Sequence, residues 1–244
     1  MLKNKIAISI DKSLLKLVGS KVDGSMIRSR SQAIEYFLRK GLAEDSINTA
    51  VLLLKGCQQH AALGTFKGKS LIKNQIEFFG RNGIKKIYLI TQNASRELRE
   101  GLIGTNVEVI EKDAKGNASA LLELKAKINN NFIVMSGDTY NNFDMDRMIN
   151  KHISMNKLAT MGLMTREKSS DYGTAILDGD LIIDFEEKAK SLSSHIVNAG
   201  IYIFKPEIFE MISGNSLERD LFPKLAKIGE LVGFFTYGEY EHFK

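Results

Sequence analysis

Ile6, Ile8 and Ile10 share one side of an extended segment at the start of the chain, and Lys5, Ala7 and Ser9 share the other. That period of two predicts a strand. The period then lengthens: Asp11 stands as an N-cap before "KSLLKLVGSKV", which gathers Leu14, Leu15, Val18 and Val22 on one helical face. Asp23-Gly24 ends that helix. Ser29 and Gln32, in capping-box spacing, open a second helix striped with Ala33, Ile34, Phe37, Leu38 and Leu42. A lone strand leaves its backbone groups and its Ile face without partners, so antiparallel pairing with a second copy is expected.

The pattern changes after a polar connector, "LAEDSINTA". The strand "TAVLLL" leads into a loop, an amphipathic segment opening at Lys69, and then "IKKIYLIT", "NASRELREGL", "NVEVI", "NASALLELKAKI" and "NFIVMSGD". Strands alternating with helices predict an α/β domain with a mostly parallel, doubly wound sheet. From Ala159 the texture is β-rich, and "SLERDLFPKLAKIG" adds a late helix before a last strand, "LVGFFTYG". Two domains are expected, residues 1–45 and 49–244.

Composition narrows the class. With 43% hydrophobic and 26% charged residues, the chain is ordinary for a soluble globular protein. No apolar run approaches the roughly 20 residues that span a bilayer, and "MLKNKIAISIDKS" lacks a signal peptide's apolar stretch. A cytoplasmic protein without a membrane partner is expected. Cys57 is alone and the 4 histidines are scattered, which speaks against a disulfide framework or a zinc cluster. Positive charge is concentrated early: residues 1–45 carry a net +4 of the chain's +5. That balance suggests an arm facing a polyanion.

The strand-helix-helix order and the cap in "SRSQAIEYFLRKGL" resemble the ribbon-helix-helix (Arc/MetJ-type) DNA-binding family over about residues 3–42. The resemblance implies a homodimer on double-stranded DNA, with Lys5, Ala7 and Ser9 facing bases in the major groove. It further implies that Ser29, Arg30 and Ser31 clamp a phosphate at a helix N-terminus, with Lys3 and Arg28 adding sequence-independent attraction.

The remainder resembles the sugar-phosphate nucleotidyltransferases. "GKSLIKNQIEFFGRNGIKKIYLIT", "KGNASALL", "VMSGDTYNNFDMDRMINKH", "YGTAILDGDLIIDFEEKAK", "VNAGIYIFKPEIFEMI" and "LERDLFPKLAKIGELVGF" follow the family's order. A nucleotidyltransferase-type, Rossmann-like mixed sheet is implied. So is Asp138 as the catalytic residue and a Mg²⁺ ligand at a strand's C-terminal end. Gly116, Asn117 and Ala118 would approach the base. Tyr172, Gly173, Glu187, Lys188, Asn198, Ala199 and Gly200 would contact a sugar phosphate or nucleotide sugar.

Two family features are missing. The glycine-rich triphosphate loop is shortened to Gly56 followed by Gln58, Gln59, His60, Ala61 and Ala62, with Lys55, Lys67 and Lys69 as nearby cations. Near "GEYEHFK", His242 stands at the position of a second metal-binding Asp. Loss of such charge-stabilising groups typically costs orders of magnitude in rate. The expectation from sequence is therefore a DNA-binding transcriptional regulator whose catalytically impaired second domain senses a sugar phosphate or nucleotide sugar. The alternative is an active sugar-1-phosphate nucleotidyltransferase with an N-terminal arm.

Overall fold

The computed structural model describes residues 6–24, 27–41, 47–188, 194–235 and 238–243. The chain divides into two compact units, Met1–Ser46 and Ile47–Lys244.

In the first unit, Asp11 caps α1 (Lys12–Gly19), accepting from the Ser13 and Leu14 N–H groups at 2.8 and 3.3 Å. The hydroxyl of Ser13 and these two amides hold the Asp11 carboxyl below its ordinary pKa. Helix α2 (Arg30–Gly41) follows Ser29, whose hydroxyl accepts the Gln32 N–H at 3.2 Å. The Gln32 carbonyl takes the Arg28 N–H at 2.9 Å, one residue earlier than a capping box would place it.

The expected strand was one that pairs with a second copy of the chain. Residues 6–10 of the single chain run without strand pairing, and Ile6 and Ile8 are 76% and 55% exposed. Alternation alone cannot form a strand, because the backbone groups need a partner ladder. Leu14, Leu17, Phe37 and Leu38 are exposed as well, and Ala33 is the unit's buried apolar residue among those described. Lys3 and Lys5 lie outside the described residues, while Ala7, Ser9, Arg28, Ser29, Arg30 and Ser31 are exposed.

The second unit runs β1 (Thr49–Leu53), α3 (Gln59–Leu63), a hairpin of β2 (Thr65–Phe66) and β3 (Lys69–Ser70), α4 (Leu71–Arg81), β4 (Lys86–Thr91), α5 (Arg96–Gly101), β5 (Val107–Glu111) and α6 (Asn117–Leu121). It continues with β6 (Phe132–Ser136), β7 (Thr139–Asn141), α7 (Met145–Met155), β8 (Ala159–Thr165), β9 (Gly173–Asp178), β10 (Leu181–Glu187), β11 (Ile196–Phe204), α8 (Phe222–Lys227), β12 (Leu231–Phe235) and β13 (Tyr240–His242). The helix expected from Lys69 begins at Leu71, because Lys69 and Ser70 first pair with Phe66 and Thr65.

Nine strands form one mixed sheet in the order β5-β4-β1-β6-β11-β8-β12-β10-β9. The first half is parallel: β1 lies between β4 and β6, and β4 pairs with β5. The β-rich second half joins through antiparallel β11, which pairs with both β6 and β8. A sheet covered on both faces needs apolar residues on both sides of its central strands. Val51, Phe132 and Val134 pack into one core, and Ala50, Leu52, Ile133 and Met135 into the other. No helix among the described residues is long and apolar enough to cross a membrane.

One buried polar group makes stability depend on acid. His152 of α7 is 0% exposed, bonded to the Thr160 hydroxyl at 2.9 Å, and its pKa is lowered from 6.5 to about 3 by burial and by Lys205. The folded chain therefore binds this proton less readily than the unfolded chain. Its stability contribution is complete above pH 6.5 and declines as pH falls from 6.5 toward 3. The slope approaches roughly 1.4 kcal/mol per pH unit. Urea midpoints measured across that range should fall steeply, and His152→Gln should flatten the dependence.

Candidate functional site

The parallel strands β1 and β6 both end at one cavity of about 390 Å³. Ligands in open α/β sheets bind beyond the strands' carboxyl ends, where side chains from several crossovers converge. Asp138 follows β6 directly. Its carboxylate accepts the Gln58 amide N–H at 2.7 Å and lies 3.4 Å from the His242 imidazole Nε2. The backbone carries His242 there: β13 pairs antiparallel with β7, with His242 opposite Thr139, and the Phe243 N–H bonds to the Asp138 carbonyl at 2.8 Å.

The loop after β1 does not stay open. Gly56–Gln58 forms a 3₁₀ turn closed by the Gln58 N–H on the Lys55 carbonyl at 2.9 Å, and α3 follows at once. Gln59 fixes this turn to the strand beside it. Its amide donates to the Gln92 and Asn93 carbonyls at 2.8 and 3.1 Å and accepts the Ser95 N–H at 2.8 Å. Buried side-chain bonds thus replace the glycines of an anion loop. Of the cations noted in the sequence, Lys55 lines the cavity, whereas Lys67 pairs with Glu239 and Lys69 with Glu77.

The opposite wall gathers Tyr172, Gly173, Glu187, Lys188, Asn198 and Gly200, and Gly116 and Asn117 complete the lining. Lys188 stands at φ 54°, a left-handed conformation that costs a residue with a Cβ about 1–2 kcal/mol. A bond from its N–H to the Tyr172 carbonyl at 3.0 Å holds it there. Burial, and then Glu218, raise the pKa of Glu187, while Lys188, Arg219 and Lys55 pull against that shift. Burial also pushes Tyr202 and Tyr240 well above the usual tyrosine range.

Two expected contacts are engaged inside the protein. The Asn117 amide donates to both Glu218 oxygens at 3.0 and 2.9 Å, and its carbonyl accepts the Leu217 N–H at 2.8 Å. Asn198 donates to the Tyr202 hydroxyl at 2.7 Å and accepts the Gly200 N–H at 2.9 Å. That second bond holds Gly200 at φ 68°, a turn readily open to glycine, where β11 shifts register against β8. These asparagines shape the wall. Ala118 and Ala199 are buried in the two cores and line no part of the cavity.

The sequence reading missed Gln58 as a partner of Asp138, and missed Lys112 and Glu218 in the lining. Glu218 lies within "LERDLFPKLAKIGELVGF", a stretch already matched to the family's order, so its signal was present but unused.

Comparison with known proteins agrees with this geometry. The nucleotidyl transferase family model matches residues 58–232. A protein of Sulfolobus acidocaldarius named "Putative mannose-1-phosphate guanyltransferase" is 32% identical over 177 residues, covering 70% of this chain and 49% of that protein. The mannose-1-phosphate guanylyltransferase catalytic subunit beta of Danio rerio is 29% identical over 187 residues, covering 71% of this chain and 52% of its own. The chain thus spans about half the length of the curated relatives it matches. Among solved structures, HddC from Yersinia pseudotuberculosis superposes with a TM-score of 0.68 at 20% identity, covering 80% of this chain and 93% of that one.

The expectation of a DNA-binding transcriptional regulator with a pseudoenzyme domain is corrected by these findings. Relatives across the second unit are named as mannose-1-phosphate guanylyltransferases. The inference failed because two missing motifs were weighed above six that are present, and the six converge on one cavity. By its family match and its architecture, this chain belongs to the nucleotidyl transferase family.

Proposed function

We propose that the second unit is a sugar-1-phosphate nucleotidyltransferase, joining a nucleoside triphosphate to a sugar 1-phosphate with release of pyrophosphate. One observation carries this reading: Tyr172, Gly173, Glu187 and Lys188 share a cavity with Asp138 and Gly116, so a sugar-recognising wall faces a nucleotide-sized opening. In the reaction a phosphate oxygen of the sugar 1-phosphate attacks the α-phosphorus. The new P–O bond forms as the α–β anhydride bond breaks, and the electron pair leaves on pyrophosphate. Lys188 meets the sugar's phosphate with a positive charge and Glu187 accepts hydrogen bonds from sugar hydroxyls. Because the Gly56–Gln58 turn closes on itself, the triphosphate meets the ammonium group of Lys55 in place of an amide cradle, beside Lys112, which is paired with Glu123 at 2.8 Å. Preorganised charge of this kind stabilises the transition state.

Asp138 was expected to hold Mg²⁺. The side chains around it do not fit that ion, which demands near-ideal octahedral oxygen coordination. Asp138 carries an amide N–H from Gln58 and faces an imidazole, and among the described residues no group of three His, Cys, Asp or Glu side chains forms a metal cluster.

The test is pyrophosphate release from the full chain, supplied with a panel of nucleoside triphosphates and hexose 1-phosphates. Release that needs both substrates is expected, with the nucleotide sugar identified by mass. Absence of release with every pair, under a range of divalent ions, would remove this reading.

A further inference from the structure

We infer that Glu218 is a specificity-determining residue of this cavity: beside Glu187, it makes the sugar subsite accept hexose 1-phosphates with no further negative charge and reject the uronic acid 1-phosphates. The substrate class rests on the reaction proposed above, whereas the discrimination is read as binding to the resting chain.

Glu218 reaches the cavity from a locked backbone. It lies in Leu217–Leu221, a wide π-type turn in which the Leu221 N–H reaches back to the Ser216 carbonyl at 3.3 Å. Turns of this kind recur at functional sites. The Asp220 carboxylate takes the Asn215 and Ser216 N–H groups at 2.8 and 2.9 Å, and the Ser216 hydroxyl accepts the Arg219 N–H at 3.2 Å. The Glu218 carboxylate is oriented as well. Its Oε2 accepts the Ser216 hydroxyl at 3.0 Å, and the Asn117 amide spans both oxygens. These donors are neutral, so they aim the carboxylate and leave its charge to act on whatever enters.

That charge is felt along the sugar wall. Burial first, and Glu218 next, hold the Glu187 carboxyl above its ordinary range, and the same two causes in the same order raise the Tyr202 hydroxyl. Lys188, Arg219 and Lys55 offset the effect at Glu187 only in part. Asp171 adds a third carboxylate to the lining. A hexose held by Glu187 therefore lies in the field of several carboxylates, while Lys188 is engaged by its phosphate. Sugar hydroxyls suit this wall, because each has a proton to donate and a carboxylate only accepts. A uronic acid carries a carboxylate where its parent hexose carries a hydroxymethyl group of similar size. It offers no proton there and adds repulsion in a partly dehydrated space, where like charges interact strongly.

Isothermal calorimetry on the full chain, at about pH 8 so that carboxylates are ionised, compares glucose, galactose and mannose 1-phosphates with their uronic acid 1-phosphates. At least one neutral sugar should bind, and its uronic acid should bind at least about hundredfold more weakly. Glu218→Gln should narrow that gap by about tenfold or more, and Glu218→Asp, which keeps the charge, should retain most of it. Both variants disturb the Asn117 contact, so the readout is the ratio between the paired sugars. A second measurement needs no variant: raising NaCl from about 20 mM to about 1 M should narrow the wild-type gap through screening. Uronic acids bound as tightly as their parents, a gap unchanged in Glu218→Gln, or a gap indifferent to salt would overturn the inference and leave the reaction standing. Discrimination without pyrophosphate release would uphold it and remove the reaction. No hexose 1-phosphate bound at all would remove both.

Discussion

Reversing the charge of Lys188 by Lys188→Glu should raise the KM for a sugar 1-phosphate on the order of thousandfold, leaving the KM for the triphosphate within a few fold. A hydrogen bond to a charged group contributes about 1.5–3 kcal/mol, and placing like charges together costs several more. Lys188→Ala removes only the first of these and should cost about 10- to 150-fold. Lys188→Arg should recover much of it. The backbone argument sharpens the test. Because Lys188 sits at φ 54° on the Tyr172 carbonyl, Lys188→Gly relieves strain while removing the ammonium group. That variant should be at least as stable as wild type and as impaired as Lys188→Ala. Steady-state kinetics with each substrate varied in turn, beside thermal unfolding, separates the two effects. Equal losses for both substrates would mean that Lys188 does not sit at the sugar phosphate.

The sequence made the architecture legible because its strands are short, apolar on both faces and spaced by helices, a pattern that few folds share. The resemblance singled out Tyr172, Gly173, Glu187 and Lys188 because each stands in a stretch that follows the family's order, and the structure gathers them at one cavity. It did not reveal that Asn117 and Asn198 are occupied within the protein, since the partners Glu218, Leu217 and Tyr202 come from other parts of the chain or from across a register shift. The Gln58 and His242 contacts to Asp138 were illegible for the same reason, spanning 80 residues in one case and an edge ladder in the other. The first segment is a different case. Ile6, Ile8 and Ile10 alternate cleanly, yet alternation reports which way side chains point and says nothing of what pairs with the backbone.

Gly116→Ala should destabilise the second unit by about 3 kcal/mol and empty the cavity's floor of its order, although the change adds one methyl group. Gly116 adopts an extended backbone that any residue tolerates, at φ 179°, so conformational strain is not the cause. Contact is. A Cβ at this position would lie 2.2 Å from the Asn215 carbonyl oxygen and 2.9 Å from its carbon, and backbone cannot swing aside as a side chain can. The segment from Asn215 would have to move outward as a body. It is held by the Ala118 N–H on the Asn215 carbonyl at 2.9 Å, the Leu217 N–H on Asn117 at 2.8 Å and the Asn117 amide on Glu218, so these bonds would stretch together. Glu218 would then withdraw from the cavity and relieve its part in raising the pKa of Glu187, so that Glu187 ionises at a lower pH. For a domain of this size the midpoint of thermal unfolding should drop by roughly 6–12 °C. Gly80 supplies the contrast: it lies in α4, where an added Cβ meets nothing within 4 Å. Gly80→Ala should stabilise the unit by up to about 1 kcal/mol through helix propensity alone. A Gly116→Ala protein as stable as wild type would show that Asn215–Glu218 is not held against Gly116, and that the cavity floor is built another way.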